Sequence, residues 1–371
     1  MNVLVTGGAG FIGSHLVDAL IEKGHRVRII DALVEQVHGG KIPDYLNKDA
    51  EFFNADVCDA AAVGGALENI DVVYHQASAV GVVQSMYEIP RFVHANDYGT
   101  AILLDEILKR RDRVRKIIVA SSMSIYGESA YFCEGCDVEC FPELRSNEHL
   151  AAHSWECSCE ACNGLLTPIG TREGKPLFPT TVYAVNKLAQ EQYCLTVGRA
   201  YKIPTVALRY FNTYGTRQAL SNPYTGIGAI FSARLLNDQA PTIFEDGEQS
   251  RDFVHVSDVV QANVLALETD AGDYQAMNVG TGRASSVSQI AKILARGLGK
   301  EIDPDITGKY REGDIRHCIA DISKIRELLG YEPKVTLESG LDELLNWLGG
   351  QEAEDRVESA TAELAERSLV K

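Results

Sequence analysis

Basic residues are scarce in this chain: 35 Lys and Arg stand against 52 Asp and Glu in 371 residues, a formal net charge of −17. A surface this acidic repels polyphosphate backbones and anionic headgroups, which counts against sequence-independent nucleic-acid binding and attachment to a membrane surface. Any phosphate-bearing ligand must be met by local basic groups or helix N-termini. No run of 18 apolar residues occurs, so no membrane-spanning helix is expected. The N-terminal stretch has no positively charged n-region, so no secretion signal is expected. The apolar opening MNVLVTGGAGFIGSHLVDALIEKGH is interrupted by glycines and reaches Asp18, Glu22 and Lys23 without a cleavage-type site, which argues for a cytoplasmic protein. There is no internal repeat. Nine cysteines, an odd number with six crowded into residues 133–162, fit a reducing compartment.

What is present is an ordinary globular composition, 45% hydrophobic and 23% charged, long enough for one large α/β domain and a smaller one. Up to residue 125, β-branched runs alternate with helical patterns: VLV (3–5), VRII (27–30), EFFNADV (51–57), DVVYHQA (71–77) and KIIVASS (116–122). Strands spaced by helices of ten to fifteen residues imply βαβ units and a parallel, doubly wound Rossmann-type sheet. From residue 131 to 168 the periodicity stops in a cysteine-rich, acidic insertion, and the sheet resumes with TVALRYFN (205–212). The expected organisation is a dinucleotide-binding domain over 1–213, interrupted by that insertion, then a smaller α/β unit over 214–349, with 251–265 able to return to the first domain. That unit includes GAIFSARLLND, a strand-like TIFEDG and a final amphipathic helix carrying Ile322, Ile325, Leu328 and Leu329. Residues 350–371 are charged and read as a solvated helix or frayed end. Helical stripes at Ile102, Leu103, Ile107 and Leu108, and at Val185, Leu188 and Ala189, are either a dimer surface or core.

Directly after the first strand stands Thr6-Gly7-Gly8-Ala9-Gly10-Phe11-Ile12-Gly13, followed by a helix. Glycines there permit a tight turn, let the backbone approach a pyrophosphate and let the helix pack on the strand. Asp31 ends the second strand 18 residues past Gly13, where a carboxylate accepts hydrogen bonds from a ribose 2′-hydroxyl and repels a 2′-phosphate. The pattern therefore favours NAD over NADP, held by Gly7, Gly10, Phe11, Ile12, Gly13 and Asp31. Asp56 and Val57, ending the third strand, are expected beside the adenine, and Gln76 and Ala77, ending the fourth, along the cofactor. His75 reads as a satisfied structural histidine more readily than as an acid or base.

Tyr183 and Lys187 form a Tyr-x-x-x-Lys pair at the start of a helix. At i and i+4 they share a face, so the ammonium can stabilise a phenolate and tune the tyrosine to move a hydroxyl proton near neutral pH. Ser121-Ser122-Met123-Ser124-Ile125-Tyr126-Gly127 follows the apolar strand KIIVA and brings hydroxyls to the carboxyl end of the sheet, where such folds bind ligands.

With these motifs the chain resembles the extended short-chain dehydrogenase/reductase family, specifically its nucleotide-sugar epimerases and dehydratases, over roughly residues 1–345 apart from the insertion. The resemblance implies that Tyr183 is the base, Lys187 its partner and Ser122 the family's hydroxyl residue. It implies that Asn96, in Asn96-Asp97-Tyr98-Gly99-Thr100, serves the cofactor site, that Asn212, in Arg209-Tyr210-Phe211-Asn212, meets the sugar diphosphate, and that Ser124 contacts the substrate. Arg251-Asp252-Phe253-Val254-His255-Val256 and Arg311-Glu312-Gly313-Asp314-Ile315-Arg316 resemble the segments that supply arginines to the diphosphate, with Arg251 and Arg316 the expected contacts. Family dehydratases carry Asp-Glu directly after the catalytic hydroxyl residue. Met123 and Ser124 stand there in this chain, which leaves an NAD-dependent 4-epimerisation by way of a transient 4-keto sugar. A dehydrogenase releasing NADH and a non-catalytic NAD-binding scaffold are the alternatives.

Cys133-Glu134-Gly135-Cys136 and Cys159-Glu160-Ala161-Cys162 are two CxxC pairs separated by 22 residues. Two such turns complete a closed tetrahedral Cys₄ site, so a structural zinc is expected, with a redox or disulfide role or inert thiols as the alternatives and Cys140 and Cys157 as spare cysteines able to replace a member. The insertion holds seven acids against one base, Arg145, which counts against a nucleic-acid-binding ribbon. It lies between Ser122 and Tyr183 in sequence, where it can cover the mouth of the site. A cysteine insertion of this kind is similar to that of a branch of dTDP-L-rhamnose 4-epimerases. That resemblance implies a dTDP-6-deoxyhexose or a UDP-hexose as substrate and a homodimer as the working form.

Overall fold

Each β-branched run becomes a strand, because side chains branched at Cβ pack well on a pleated sheet covered on both faces. In the computed structural model, which describes every residue except 225, 312 and 352, the strands are Asn2–Thr6, Arg26–Asp31, Glu51–Asn54, Val72–His75, Lys116–Ser122 and Thr205–Tyr210. Ala276–Val279 joins Thr205–Tyr210 as a seventh parallel strand. Numbered along the chain, the sheet runs 3-2-1-4-5-6-7, so its order reverses between the first and fourth strands. A doubly wound sheet opens its ligand crevice at that reversal, beyond the carboxyl ends of the strands. On one face Leu16, Val17 and Leu20 of helix Phe11–Glu22 pack with Val259 and Ala266 of helix Val256–Glu268. Val63, Leu103, Ile107, Cys194 and Leu195 cover the other.

The division expected at residue 213 is therefore crossed again. The chain leaves the sheet after Tyr210, then returns with Val256–Glu268 against the first helix and Ala276–Val279 at the sheet edge. The return extends beyond 251–265, because Ala276–Val279 pairs with Thr205–Tyr210 as the edge strand. The smaller unit has its own core, in which Phe231, Leu235, Ile290, Leu294, Leu341, Leu344 and Leu348 meet. Ser323–Leu329 is not the final helix: Leu337–Leu348 completes this core, and Val357–Glu366 follows in the tail.

The insertion is a three-stranded antiparallel sheet, Ala130–Cys133 flanked by Val138–Cys140 and Thr167–Ile169. Tyr131, Cys133, Cys157, Cys159 and Leu166 form its buried apolar cluster. Of the two stripes read as dimer surface or core, Leu103 and Ile107 are core, whereas Val185 is exposed. Tyr98 and Tyr193, which the periodicity passes over, are exposed on the same pair of helical segments. Among the described residues, no helix is long and apolar enough to cross a membrane.

Candidate active site

One cavity of about 850 Å³ lies at the carboxyl ends of the strands, where the sheet order reverses. At one end the glycine turn forms its wall. Gly7 has φ +68°, and a Cβ there would stand 2.8 Å from the Ala77 Cα; a Cβ on Gly13 would fall 2.1 Å from the Gly7 carbonyl oxygen. Only glycine fits either position, and the backbone consequently passes close to any bound pyrophosphate. Asp31 accepts from the Ala9 N–H at 3.0 Å and the Leu33 N–H at 2.9 Å, which fixes its carboxylate at the end of its strand. Gly10, Phe11, Ile12, Asp56, Val57, Gln76 and Ala77 line the same end. The donor set fits a dinucleotide: bare glycine backbone for the diphosphate and a fixed carboxylate for a ribose.

Ser122, Ser124, Tyr183 and Lys187 meet in the middle of the cavity. Thr181 starts helix Val182–Tyr201 by accepting the Ala184 N–H at 3.2 Å, and Ser85 Oγ accepts the Tyr183 N–H at 2.9 Å, so the tyrosine is set by two neighbours. Burial pushes the Tyr183 phenol up to about 12, opposed by a hydrogen bond with Ser122. Burial lowers the Lys187 ammonium to about 8. Lys187 donates to Gln190 Oε1 at 2.8 Å, and Gln190 donates to Thr100 Oγ at 2.9 Å. His75 pairs its ring nitrogens with Thr6 and Thr100 at 2.8 Å each, and burial takes it down to about 3, so it is a neutral structural member of this chain of hydrogen bonds. Sequence offered no short-range signal for the chain, because its members come from four separate elements.

At the far end Asn212 and Arg251 line the wall with Phe244, Gln249 and Arg311. Arg251 is anchored on the Ser250, Ile315 and Arg316 carbonyls and on Asp314. Arg311 lies over the Phe244 ring at 4.8 Å and also bonds Asp314. The carboxamide oxygens of Asn212, Gln218 and Gln249 are buried on this cavity without a protein partner among the described residues, three acceptors that a polar ligand would satisfy.

Two expected contacts lie elsewhere. Arg316 is not on the cavity; its side chain is 1% exposed and its guanidinium is taken up by Glu156, Glu245 and Asp246 at 2.5–3.0 Å. A guanidinium saturated by carboxylates has no edge left for a diphosphate, and Arg311 of the same segment, beside residue 312 outside the described residues, faces the cavity instead. Asn96 is also buried behind the wall. It accepts from the Ala79 N–H at 2.7 Å and donates to the Ala79 carbonyl at 3.1 Å, so it positions the chain after the fourth strand and does not itself line the cavity. The tail departs from expectation as well, because Val357, Thr361 and Leu364 line the cavity.

In the insertion, the sulfurs of Cys133, Cys136, Cys159 and Cys162 lie within 4.8 Å of one another. Tetrahedral zinc at about 2.3 Å from each sulfur needs sulfurs about 3.8 Å apart, and the observed Cys133–Cys162 and Cys136–Cys159 separations are 3.5 and 3.9 Å. Cys157 points instead to the Tyr131 hydroxyl, and Cys140 lies toward the Val138 carbonyl. The insertion does not line the cavity. It stands behind the far wall, where Arg145 grips Glu245 through two bonds of 2.9 Å.

Comparison with known proteins agrees with this geometry. Residues 3–148 match the model of the NAD dependent epimerase/dehydratase family, and residues 151–344 match that of GDP-mannose 4,6 dehydratase. The chain is 35% identical to a dTDP-L-rhamnose 4-epimerase of Burkholderia thailandensis over 94% of each chain. Its fold superposes on the UDP-glucose 4-epimerase of Thermotoga maritima, solved with UDP-glucose, with a TM-score of 0.77 and 34% identity over 94% of this chain and 99% of the other. It likewise matches the UDP-glucuronic acid 4-epimerase of Bacillus cereus, solved with UDP-glucuronic acid and NAD, with a TM-score of 0.76 and 29% identity over 94% and 99%. A glycine turn, a tyrosine–lysine pair and an arginine-lined far wall on one cavity, with relatives matched over nearly their whole length, make this chain a member of the NAD-dependent epimerase/dehydratase family.

Proposed function

We propose that the protein is an NAD-dependent nucleoside-diphosphate-sugar 4-epimerase acting on a dTDP-6-deoxyhexose such as dTDP-L-rhamnose, or on a UDP-hexose. The observation that carries the reading is the convergence of Ser122, Tyr183 and Lys187 between the glycine turn and the arginine wall, beside Met123 and Ser124, which have no useful proton to give. Bound NAD would supply the acceptor and later the donor of the C4 hydride. Tyr183 takes the O4 proton as C4 becomes a carbonyl and returns it when the C–H bond re-forms on the opposite face. Ser122 holds the reacting oxygen, and the Lys187 ammonium, one turn along the helix, favours the phenolate that burial disfavours. Expulsion of a neighbouring hydroxyl needs a further acid and base, which positions 123 and 124 do not provide.

Arg311, the Nε–H that Arg251 keeps beyond its four protein bonds, and the unpartnered carboxamides of the far wall suit the diphosphate and its polar substituents. A structural zinc held by Cys133, Cys136, Cys159 and Cys162 would staple the small insertion. A homodimer would bury the exposed Val185, Tyr98 and Tyr193 on adjoining helices. The test is incubation with dTDP-L-rhamnose and a panel of UDP- and GDP-hexoses, following C4 inversion by proton NMR and NADH by absorbance. Inversion without net NADH is expected, and Tyr183→Phe should lower it by about 10²- to 10⁴-fold. Accumulating NADH and keto-sugar would move the assignment to a dehydrogenase, and a fully active Tyr183→Phe would overturn the assignment of the base.

A further inference from the structure

The C-terminal segment completes the far end of the cavity. Ala353 accepts from Asn237 at 2.8 Å, the Glu354 N–H donates to Ser221 Oγ at 3.0 Å, and Asp355 pairs with Arg234 at 3.2 Å, so the segment starts fixed to the smaller unit. It ends fixed there too: the Tyr310 and Lys371 backbones exchange hydrogen bonds at 2.9 and 3.0 Å, and Val370 bridges Arg311, the arginine of the far wall. Between these anchors, helix Val357–Glu366 sets Val357, Ala360, Thr361 and Leu364 on one face at i, i+3, i+4 and i+7. That face lines the cavity, and Ala360 and Leu364 are 8% and 6% exposed.

The adjoining face reaches the other side of the cleft. Glu363 accepts from the Tyr224 hydroxyl at 3.1 Å and the Tyr87 hydroxyl at 3.3 Å, and the Arg367 guanidinium lies 4.3 Å over the Tyr87 ring. Tyr87 belongs to the loop after the fourth sheet strand, so the helix spans from the smaller unit to the dinucleotide-binding half. The wall it shares with Phe244, Arg251 and Arg311 combines apolar faces with guanidinium edges. That combination suits a nucleoside diphosphate, whose flat base takes the apolar surfaces and whose phosphates take the arginines.

We propose that Thr361 and Leu364 are substrate-contact residues, forming with Leu369 the wall against which the nucleoside diphosphate of the sugar nucleotide is held. This rests on the reading of the cavity as a nucleotide-sugar site and adds to it a specificity element outside the residues matched by either family model, which stop at 344.

The test uses the full-length protein with UDP and dTDP as probes, and UDP-glucose and dTDP-L-rhamnose as substrates. Thr361→Trp fills the space beside the far wall. It should weaken UDP or dTDP binding at least tenfold by calorimetry and raise KM by a similar factor, while kcat stays within threefold and the protein keeps its bound NAD. The double variant Glu363→Ala/Arg367→Ala removes the clasp to Tyr87 and should shift affinity in the same direction. Hydrogen exchange on the unaltered protein is an independent readout, and amides of 357–366 should gain protection when UDP or dTDP is added. Unchanged nucleotide affinity in both variants, or unchanged exchange in the helix on saturation, would overturn the proposal. Equal loss of NAD and nucleotide would overturn it too, by making the segment a general brace. Nucleotide binding that depends on Thr361 without epimerisation would sink the epimerase reading and leave this one standing, whereas binding of no nucleotide at all would sink both.

Discussion

Replacing Arg145 by Met withdraws one of two arginines from a cluster of four carboxylates behind the far wall. Glu128 and Glu245, 0% and 3% exposed, face Arg145 at 3.6 and 2.9 Å, while Arg316 holds Glu156 and Asp246. Breaking a buried pair by removing one partner costs about 3–5 kcal/mol; Glu245 keeps Arg316 at 3.0 Å, so the cost falls chiefly on Glu128, left with neutral donors such as the Arg316 N–H and the Tyr131 hydroxyl. With an unfolding entropy of about 2.1 cal/mol/K per residue, a chain of this length should lose about 4–6 °C of Tm if it unfolds as one unit. The loss depends on pH in a definite direction. Burial raises the Glu128 carboxyl above its ordinary value, and Arg145 opposes that. Without Arg145 the folded state holds the Glu128 proton still more tightly than the unfolded state does. Stability is then fully present below the unfolded value, near 4.5, and is lost as pH rises through the folded one. The variant's deficit should therefore be larger at pH 8 than near pH 5. Scanning calorimetry of both proteins at the two pH values measures it, and a deficit under about 1 °C at pH 8, or one equal at both pH values, would refute the reasoning. Because Arg145 also donates to the Asp314 carbonyl at 3.2 Å, and Asp314 bonds both Arg251 and Arg311, nucleotide affinity should fall with stability.

Gly13→Ala places a Cβ against the Gly7 carbonyl, so the purified variant should carry little or no NAD by chromatography after heat release, and full occupancy would show that the turn can yield. Activity should decline as pH rises through about 8, where Lys187 loses the charge that favours the Tyr183 phenolate, and Lys187→Met should be weak throughout with that limb absent. Metal analysis should give about one zinc per chain, lost in Cys133→Ser and retained in Cys140→Ser, since the Cys140 sulfur lies outside the four-sulfur group. A metal-free but stable unaltered protein would return the cluster to a redox role.

The parts of this protein legible in its sequence are those set by interactions a few residues long. A glycine turn needs its glycines within one strand-to-helix connection, Tyr183 and Lys187 share a face because they are one helical turn apart, and each CxxC turn presents its own pair of sulfurs. Residues chosen on those grounds, from Gly7 to Lys187, line the cavity together, and the four cysteines selected by spacing meet. Tertiary structure decided what depends on distant partners. Arg311 faces the cavity and Arg316 does not, because carboxylates 70 and 160 positions away, Asp246 and Glu156, draw Arg316 behind the wall. Asn96 is held behind the cavity wall by the main chain of Ala79. The tail, read from its charges as solvated, is docked because its sparse apolar residues fall on one helical face and the open end of a cavity was there to receive them. Charge and periodicity announce a surface, but its partner is selected only when the folded chain brings the two together.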